Sequence, residues 1–315
     1  MKTMISNICL VVIFNHRYNS NVEKLQKIYG SRFSNIYYVV PFQTKGIPDY
    51  LLDKVIRVYE SSFYFQGYIS YAYDVLKDQG YGYFMFIGDD LILNPRINEN
   101  NLFEITGIDQ NSCFIKRYEP VDLGGSISAI RLYDTIKPFY FASGMEWKRE
   151  LPSKEEALLI LSEHGYDESV LHMTWDFVKR NRFLKSFKML PFSILVFILT
   201  KFKRYPYPLF NGYADIVCVP ANVMPKFAYY CGVLSAMNIF VEIAIPTALL
   251  FSSKKVCQES DIRLRGGDVW SLEEIAGIEK QYHSNMKELL EKFPDYILYY
   301  HPVKLSKWKW NIDET

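Results

Sequence analysis

Two aspartates stand side by side, Asp89 and Asp90, inside the string YGYFMFIGDDLILNP (81–95). Aromatic and apolar residues precede the pair, and Leu-Ile-Leu follows it, so the pair interrupts what otherwise reads as strand. Adjacent carboxylates at a strand end repel each other and cost free energy unless a cation lies beside them. A hard divalent ion with oxygen ligands answers that cost, and such an ion usually bridges to substrate phosphates. The alternative is a solvated turn carrying two Asp, against which the apolar flanks argue.

Further residues suit chemistry around such a pair. Glu242 is the only charge in NIFVEIAIPTALL (238–250). A carboxylate in that setting needs an arginine partner, a seat in a helix first turn, or proton-transfer work. Asp215, in NGYADIVCVP, is a second candidate for base work or for binding an acceptor. FNHRYN (14–19) follows the first apolar run, where Asn15, His16 and Arg17 offer amide, imidazole and guanidinium groups. Arg17 could meet a phosphate with two parallel bonds; a merely polar loop is the other reading. RLRGGD (263–268) sets Arg263, Arg265 and Asp268 on an expected flexible loop able to close over a diphosphate. Gln66 opens the helix before the acidic strand. His301 and Lys304 stand in YYHPVK (299–304), after a late apolar strand.

The elements that must position these residues begin with ICLVVIFN (8–15), a strand buried on both faces. SNVE (20–23) reads as a capping box for a helix ending near Gly30. NIYYVVPF (35–42) and DKVIRVYE (53–60) are expected strands, and residues 66–79 a helix stopped by Gly80. The order β-α-β-β-α-β predicts a largely parallel sheet over the first 95 residues. From SKEE (153–156), a second capping box, to about residue 204 the pattern is helical. ADIVCVP (214–220) returns as strand, two helices follow, and SLEE (271–274) caps a helix expected to reach about Phe293. DYILYYHPVK (295–304) reads as a last strand and turn.

The whole chain narrows the field. Its 36 basic and 35 acidic residues leave a net charge of +1, which gives no argument for a nucleic-acid partner. The five cysteines are odd in number and form no CxxC, as expected of reduced cytosolic thiols. No signal-peptide pattern opens the sequence, and no apolar run reaches the roughly 20 residues a spanning helix needs. KSFKMLPFSILVFILTKFKR (185–204) is apolar in the middle and basic at both ends. It reads either as an interfacial helix on anionic headgroups or as a buried helix.

Gly-Asp-Asp after a strand occurs in three known arrangements. Polymerase palms need a further Asp on an earlier strand, and haloacid-dehalogenase-type phosphatases need Asp-x-Asp after the first. Here the first strand runs into FNHRYN, with no Asp. The third arrangement sets an acidic motif about 90 residues in, after a βαβ half and before a short apolar strand, and this chain has it. The chain therefore resembles the GT-A-fold glycosyltransferases.

The resemblance implies a Rossmann-like α/β fold: a mixed, mostly parallel sheet flanked by helices, with a helical insertion. Residues 1–150 would be the nucleotide-sugar half, 151–210 the insertion and 211–315 the acceptor half. It implies transfer of a sugar from a nucleotide-sugar donor to a hydroxyl acceptor, a glycan or lipid-linked glycan, in the cytoplasm or peripherally at the inner membrane face. Asp89, Asp90 and a returning His301 would hold Mn²⁺ or Mg²⁺, with imidazole suiting Mn²⁺. Asn15, His16, Arg17, Gln66, Arg265 and Lys304 would contact the donor. Glu242 would be the base of an inverting reaction, its pKa raised by desolvation, with Asp215 beside it. Two rivals remain. A sugar-nucleotide pyrophosphorylase would carry a Gly-rich loop after the first strand, and FNHRYN has no Gly. A non-catalytic nucleotide- or carbohydrate-binding protein would bind without metal-dependent turnover.

Overall fold

The computed structural model describes residues 7–121, 127–141, 146–172, 190–200 and 204–310. The first half runs β1 (Ile8–Ile13), α1 (Asn21–Tyr29), β2 (Asn35–Pro41), β3 (Val55–Val58), α2 (Gln66–Leu76) and β4 (Tyr83–Gly88). Then come β5 (Ile92–Leu93), α3 (Leu102–Thr106), β6 (Cys113–Ile115), β7 (Tyr118–Pro120) and α4 (Ala129–Phe141). Short helices α5 (Trp147–Glu150), α6 (Lys154–Glu163) and α7 (Leu190–Leu199) lead to β8 (Phe210–Gly212) and β9 (Ile216–Pro220). Helices α8 (Met224–Ala236) and α9 (Val241–Ser252) precede β10 (Val256–Cys257) and β11 (Arg265–Asp268). The chain closes with α10 (Leu272–Gln281), α11 (Met286–Glu291) and β12 (Ile297–His301).

The main sheet has the order β10-β6-β9-β4-β1-β2-β3, parallel throughout except for β9, which pairs antiparallel with β4 and β6. The sheet is mixed and mostly parallel, as expected, and its parallel part includes the strands that the first 95 residues predicted. All six residues of β1 are buried, as a central parallel strand requires. Its side chains alternate between two cores: Cys9, Val11 and Ile13 face one, Ile8, Leu10 and Val12 the other. Helix α2 packs on α8, and α8 on α9, over the first core; α1 and the β12 region cover the second. Residues 211–315 do not build a sheet of their own, since β9 lies between β6 and β4.

The acidic pair does not interrupt one ladder. It forms the turn between β4 of the main sheet and β5, an edge of a second sheet ordered β11-β12-β5. Three local expectations change. Ser20 makes no side-chain cap to α1. The helix expected from Ser271 to about Phe293 is broken, because His283 and Ser284 turn left-handed with φ of 52° and 47°. Asn285 then caps α11 by accepting from the Glu288 N–H. RLRGGD is not a loop: Arg265–Asp268 is strand β11, paired parallel with β12. The capping boxes at Ser153 and Ser271 form as expected.

In the segment 185–204, residues 185–189 and 201–203 lie outside the described residues. Helix α7 buries Val196, as the turn after it buries Thr200, but exposes Ile194, Leu195 and Ile198. No helix among the described residues is long and apolar enough to cross a membrane.

Gly212 fixes how closely β7 and β8 approach: an added Cβ would stand 2.1 Å from the Arg117 carbonyl oxygen. Gly277, on exposed α10, has open space around it. Gly212→Ala is therefore expected to lower Tm by about 5 °C or more. Gly277→Ala should hold Tm or raise it by about 1–2 °C, through lower unfolded-state entropy. Thermal melts of the two variants check this; equal effects would contradict the packing described.

Candidate active site

The site grows from the carboxyl end of β4. The Asp89 N–H donates to the Ile13 carbonyl at 2.9 Å, which ties the acidic turn to the end of β1. The Gly88 N–H donates to the Asp215 carbonyl at 3.0 Å, because β9 starts antiparallel beside the end of β4. The Val303 N–H donates to the Asp90 carbonyl at 2.7 Å, which draws in the exit of β12. Three separate chain segments are thus bonded to one turn, and their side chains share one corner.

In that corner His301 Nε2 lies 3.1 Å from Asp90 Oδ1 and 3.8 Å from Asp215 Oδ1. The Nε2–Asp90 approach is an ion-pair contact without hydrogen-bond alignment, and Asp90 Oδ1 is buried with no hydrogen-bond partner. His301 Nδ1 is 2.6 Å from the Tyr213 hydroxyl, and Tyr213 stacks on Tyr299. The Tyr299 hydroxyl donates to Asp268 Oδ1 at 2.6 Å, and Lys116 pairs with the other Asp268 oxygen. The imidazole is therefore held in orientation by a chain of buried groups.

The charges answer to burial. Desolvation, then the charge of Asp90, pushes Asp89 well above the usual carboxylate range, against the N–H groups of Asn15 and Asp89 itself. Burial also raises Asp215, with His301 opposing. For His301, burial disfavours the imidazolium, but its contact with Asp90 and the charges of Asp215, Asp90 and Asp268 outweigh burial and raise the pKa.

The expected residues divide sharply. Asp90, Asp215 and His301 meet, so Asp215 belongs to the acidic corner and not only to an acceptor side. Asp89 is 5% exposed and its carboxylate accepts from the Asn15 N–H, so it fixes the β1 loop more than it faces the corner. Asn15 is thereby seated at the site, while His16 and Arg17 project into solvent on the same loop. Gln66 is a correction: it is fully buried, and its amide donates to the Ile239 carbonyl at 2.9 Å. It holds the link before α9, away from the surface on which a nucleotide was expected. Arg265 is a second correction. It pairs with Ile297 at the start of β11, the opposite end of the strand from Asp268 and His301. Lys304 is exposed, three residues beyond His301. Glu242 lies in the first turn of α9, and burial, then the charge of Asp215, pushes its pKa to about 7, against Arg117 and Arg131.

Sequence reasoning missed Tyr213, Tyr299, Lys116 and Trp270. Only Tyr213, two residues before Asp215, carried a usable signal. Trp270 is 68% exposed yet meets the Tyr213 ring edge-on at 5.8 Å, so it stands at the rim of the site.

The residues present suit a divalent cation. Ligands about 2.1 Å from an octahedral ion lie about 3 Å apart, near the 3.1 Å and 3.8 Å separations here. Asp90 Oδ1 needs a partner. Gly88 keeps the corner open, since a Cβ there would stand 3.3 Å from Asp90 Oδ1 and 3.8 Å from Asp215 Oδ1. Among the described residues no three His, Cys, Asp or Glu side chains form a ready metal cage. An ion shared with substrate phosphates needs only one or two carboxylates from the protein. No family model matches the chain, and no curated protein does either.

The raised pKa of Glu242 makes folding take up a proton, so this residue's contribution to stability is lost as pH rises from about 4.5 through about 7. Glu242→Gln removes that loss. Melts in metal-free buffer should show the variant gaining on wild type between pH 5 and pH 8, by about 2–3 kcal/mol. A difference independent of pH would contradict the assigned burial.

Proposed function

We propose that this chain is a glycosyltransferase that moves a sugar from a nucleotide-sugar donor to a hydroxyl acceptor with a divalent cation at the acidic corner. The observation that carries the reading is the meeting of Asp90, Asp215 and His301 at the carboxyl end of β4, against the loop that leaves β1. Ligands of open α/β sheets gather at strand carboxyl ends, which is where this corner lies.

Asp90, Asp215 and His301 would hold the cation. When bound, Mn²⁺ or Mg²⁺ would neutralise the diphosphate leaving group as a Lewis acid. Asn15, positioned by Asp89, presents the β1 loop to the nucleotide, and the exposed His16, Arg17 and Lys304 supply polar and cationic groups around it. Tyr213, held by Tyr299 and by the Asp268–Lys116 pair, keeps the imidazole aimed. Glu242, with its pKa near neutrality, takes the acceptor hydroxyl proton as the acceptor oxygen bonds to the anomeric carbon. The bond from that carbon to the diphosphate oxygen breaks, and the nucleoside diphosphate leaves with the electron pair. In a retaining reaction Glu242 would only orient the acceptor. The exposed apolar residues of α7 fit a peripheral seat at the cytoplasmic membrane face, beside a lipid-linked acceptor.

A thermal-shift panel of UDP-, GDP-, CMP- and dTDP-sugars, each with and without Mn²⁺, tests the reading. One nucleotide class is expected to raise Tm by about 3 °C or more at saturation, only with Mn²⁺, and not in Asp90→Asn. No shift from any nucleotide, or equal shifts without Mn²⁺, would overturn it.

A further inference from the structure

Two opposite fields act on Glu242. The charge of Asp215 acts on it from the acidic corner, and the charges of Arg117 and Arg131 oppose that effect. Arg117 is engaged with Glu119 at 3.3 Å. Arg131 differs. Its guanidinium carbon sits 3.9 Å from the Phe63 ring centre and 4.9 Å from that of Phe240. The two rings lie 6.3 Å apart, so the cation rests on both. No Asp or Glu among the described residues comes within ion-pairing distance of it. Phe240 directly precedes α9 and stands two residues before Glu242, while Phe63 is 47% exposed.

A guanidinium held against aromatic rings keeps its charge, and the N–H donors outside the ring contacts stay available. The ring contacts also limit its rotamers, which lowers the entropy lost when an anion pairs with it. A planar fork of this kind matches a carboxylate or phosphate with two parallel bonds.

We propose that Arg131, braced by Phe63 and Phe240 beside Glu242, anchors an anionic group of the acceptor, so that the acceptor is an acidic glycan or a phosphate-bearing one. This deepens the transferase reading and rests on it for the word acceptor; the anion site itself does not. The hydroxyl to be glycosylated lies at Glu242, and the charged substituent lies on the Arg131 side, away from the acidic corner that would repel it. A neutral acceptor leaves Arg131 unpaired and binds more weakly.

The test is a ligand-observed NMR titration in EDTA-containing buffer, so that no cation captures phosphate. The probes are methyl glucuronide, glycerol 1-phosphate and, as the neutral control, methyl glucoside. The proteins are wild type, Arg131→Met, Arg131→Lys and Asp90→Asn. The proposal expects wild type and Asp90→Asn to bind at least one anionic probe about tenfold or more tighter than methyl glucoside. Arg131→Met should lose that preference, and Arg131→Lys should keep part of it. The probe preferred, carboxylate or phosphate, names the acceptor's acidic group. Equal affinity in wild type and Arg131→Met overturns the proposal, as does equal binding of all three probes or no binding of either anion. A purely structural Arg131 would lower Tm in both substitutions without creating this preference. If the anion preference holds while the nucleotide panel fails, the anion site stands and the transferase reading falls. If the panel succeeds and the preference is absent, the reverse applies.

Discussion

Like-charge repulsion in one buried corner is the constraint on which the rest of the molecule depends. Asp90 and Asp215 meet a single imidazole with Asp89 next in the chain, and burial already disfavours the charges of Asp89 and Asp215. Side chains left to themselves would rotate apart. Backbone bonds prevent it, because the turn is held to β1 through Ile13, to β9 through Asp215 and to the end of β12 through Val303. Folding thus keeps the carboxylates together at a cost that His301 offsets only in part, and a site kept at such a cost is where a cation or a proton transfer is expected.

Outward from this corner the polarity changes in order. Tyr213 and Tyr299 make a buried aromatic layer behind His301, closed by Asp268 and Lys116. Glu242 occupies the start of α9, a helix fixed from behind by the buried Gln66 amide on Ile239. Arg131, Phe63 and Phe240 follow. The rigid parts are strand ends and one helix start, while the exposed His16, Arg17 and Lys304 are surface groups on the connections. Under the proposed function, such a division would keep reacting groups fixed and leave substrate-facing groups free to adapt.

The sheet was legible because its strands are largely buried and rich in β-branched or aromatic residues, so ICLVVI, NIYYVV and YFMFIG announce themselves. The acidic pair was legible for the converse reason, as charge in an apolar setting, and so was Glu242. What stayed hidden depended on register and tertiary packing. Nothing local marks Gln66 as buried, since its partner is the Ile239 carbonyl, far along the chain. RLRGGD looks like a loop because two glycines lower its strand propensity, yet Tyr299 and Tyr300 crowd those glycines and require them small. The break at His283 and Ser284 needs two non-glycine residues in left-handed conformation, which propensity does not foresee. Lys116 reaches Asp268 only because β6 and β11 converge on the same corner.

A divalent cation in the acidic corner, with imidazole among its ligands, is the part of the proposed function on which every other role depends. The most direct measurement is pulsed electron paramagnetic resonance on Mn²⁺ titrated into the wild-type chain and into His301→Gln, Asp90→Asn and Asp215→Asn. One tightly held Mn²⁺ with nitrogen coupling is expected in wild type, with that coupling lost in His301→Gln and weaker binding in both Asn variants. Mn²⁺ bound with equal affinity in wild type and Asp90→Asn, or with no nitrogen coupling in wild type, would contradict it.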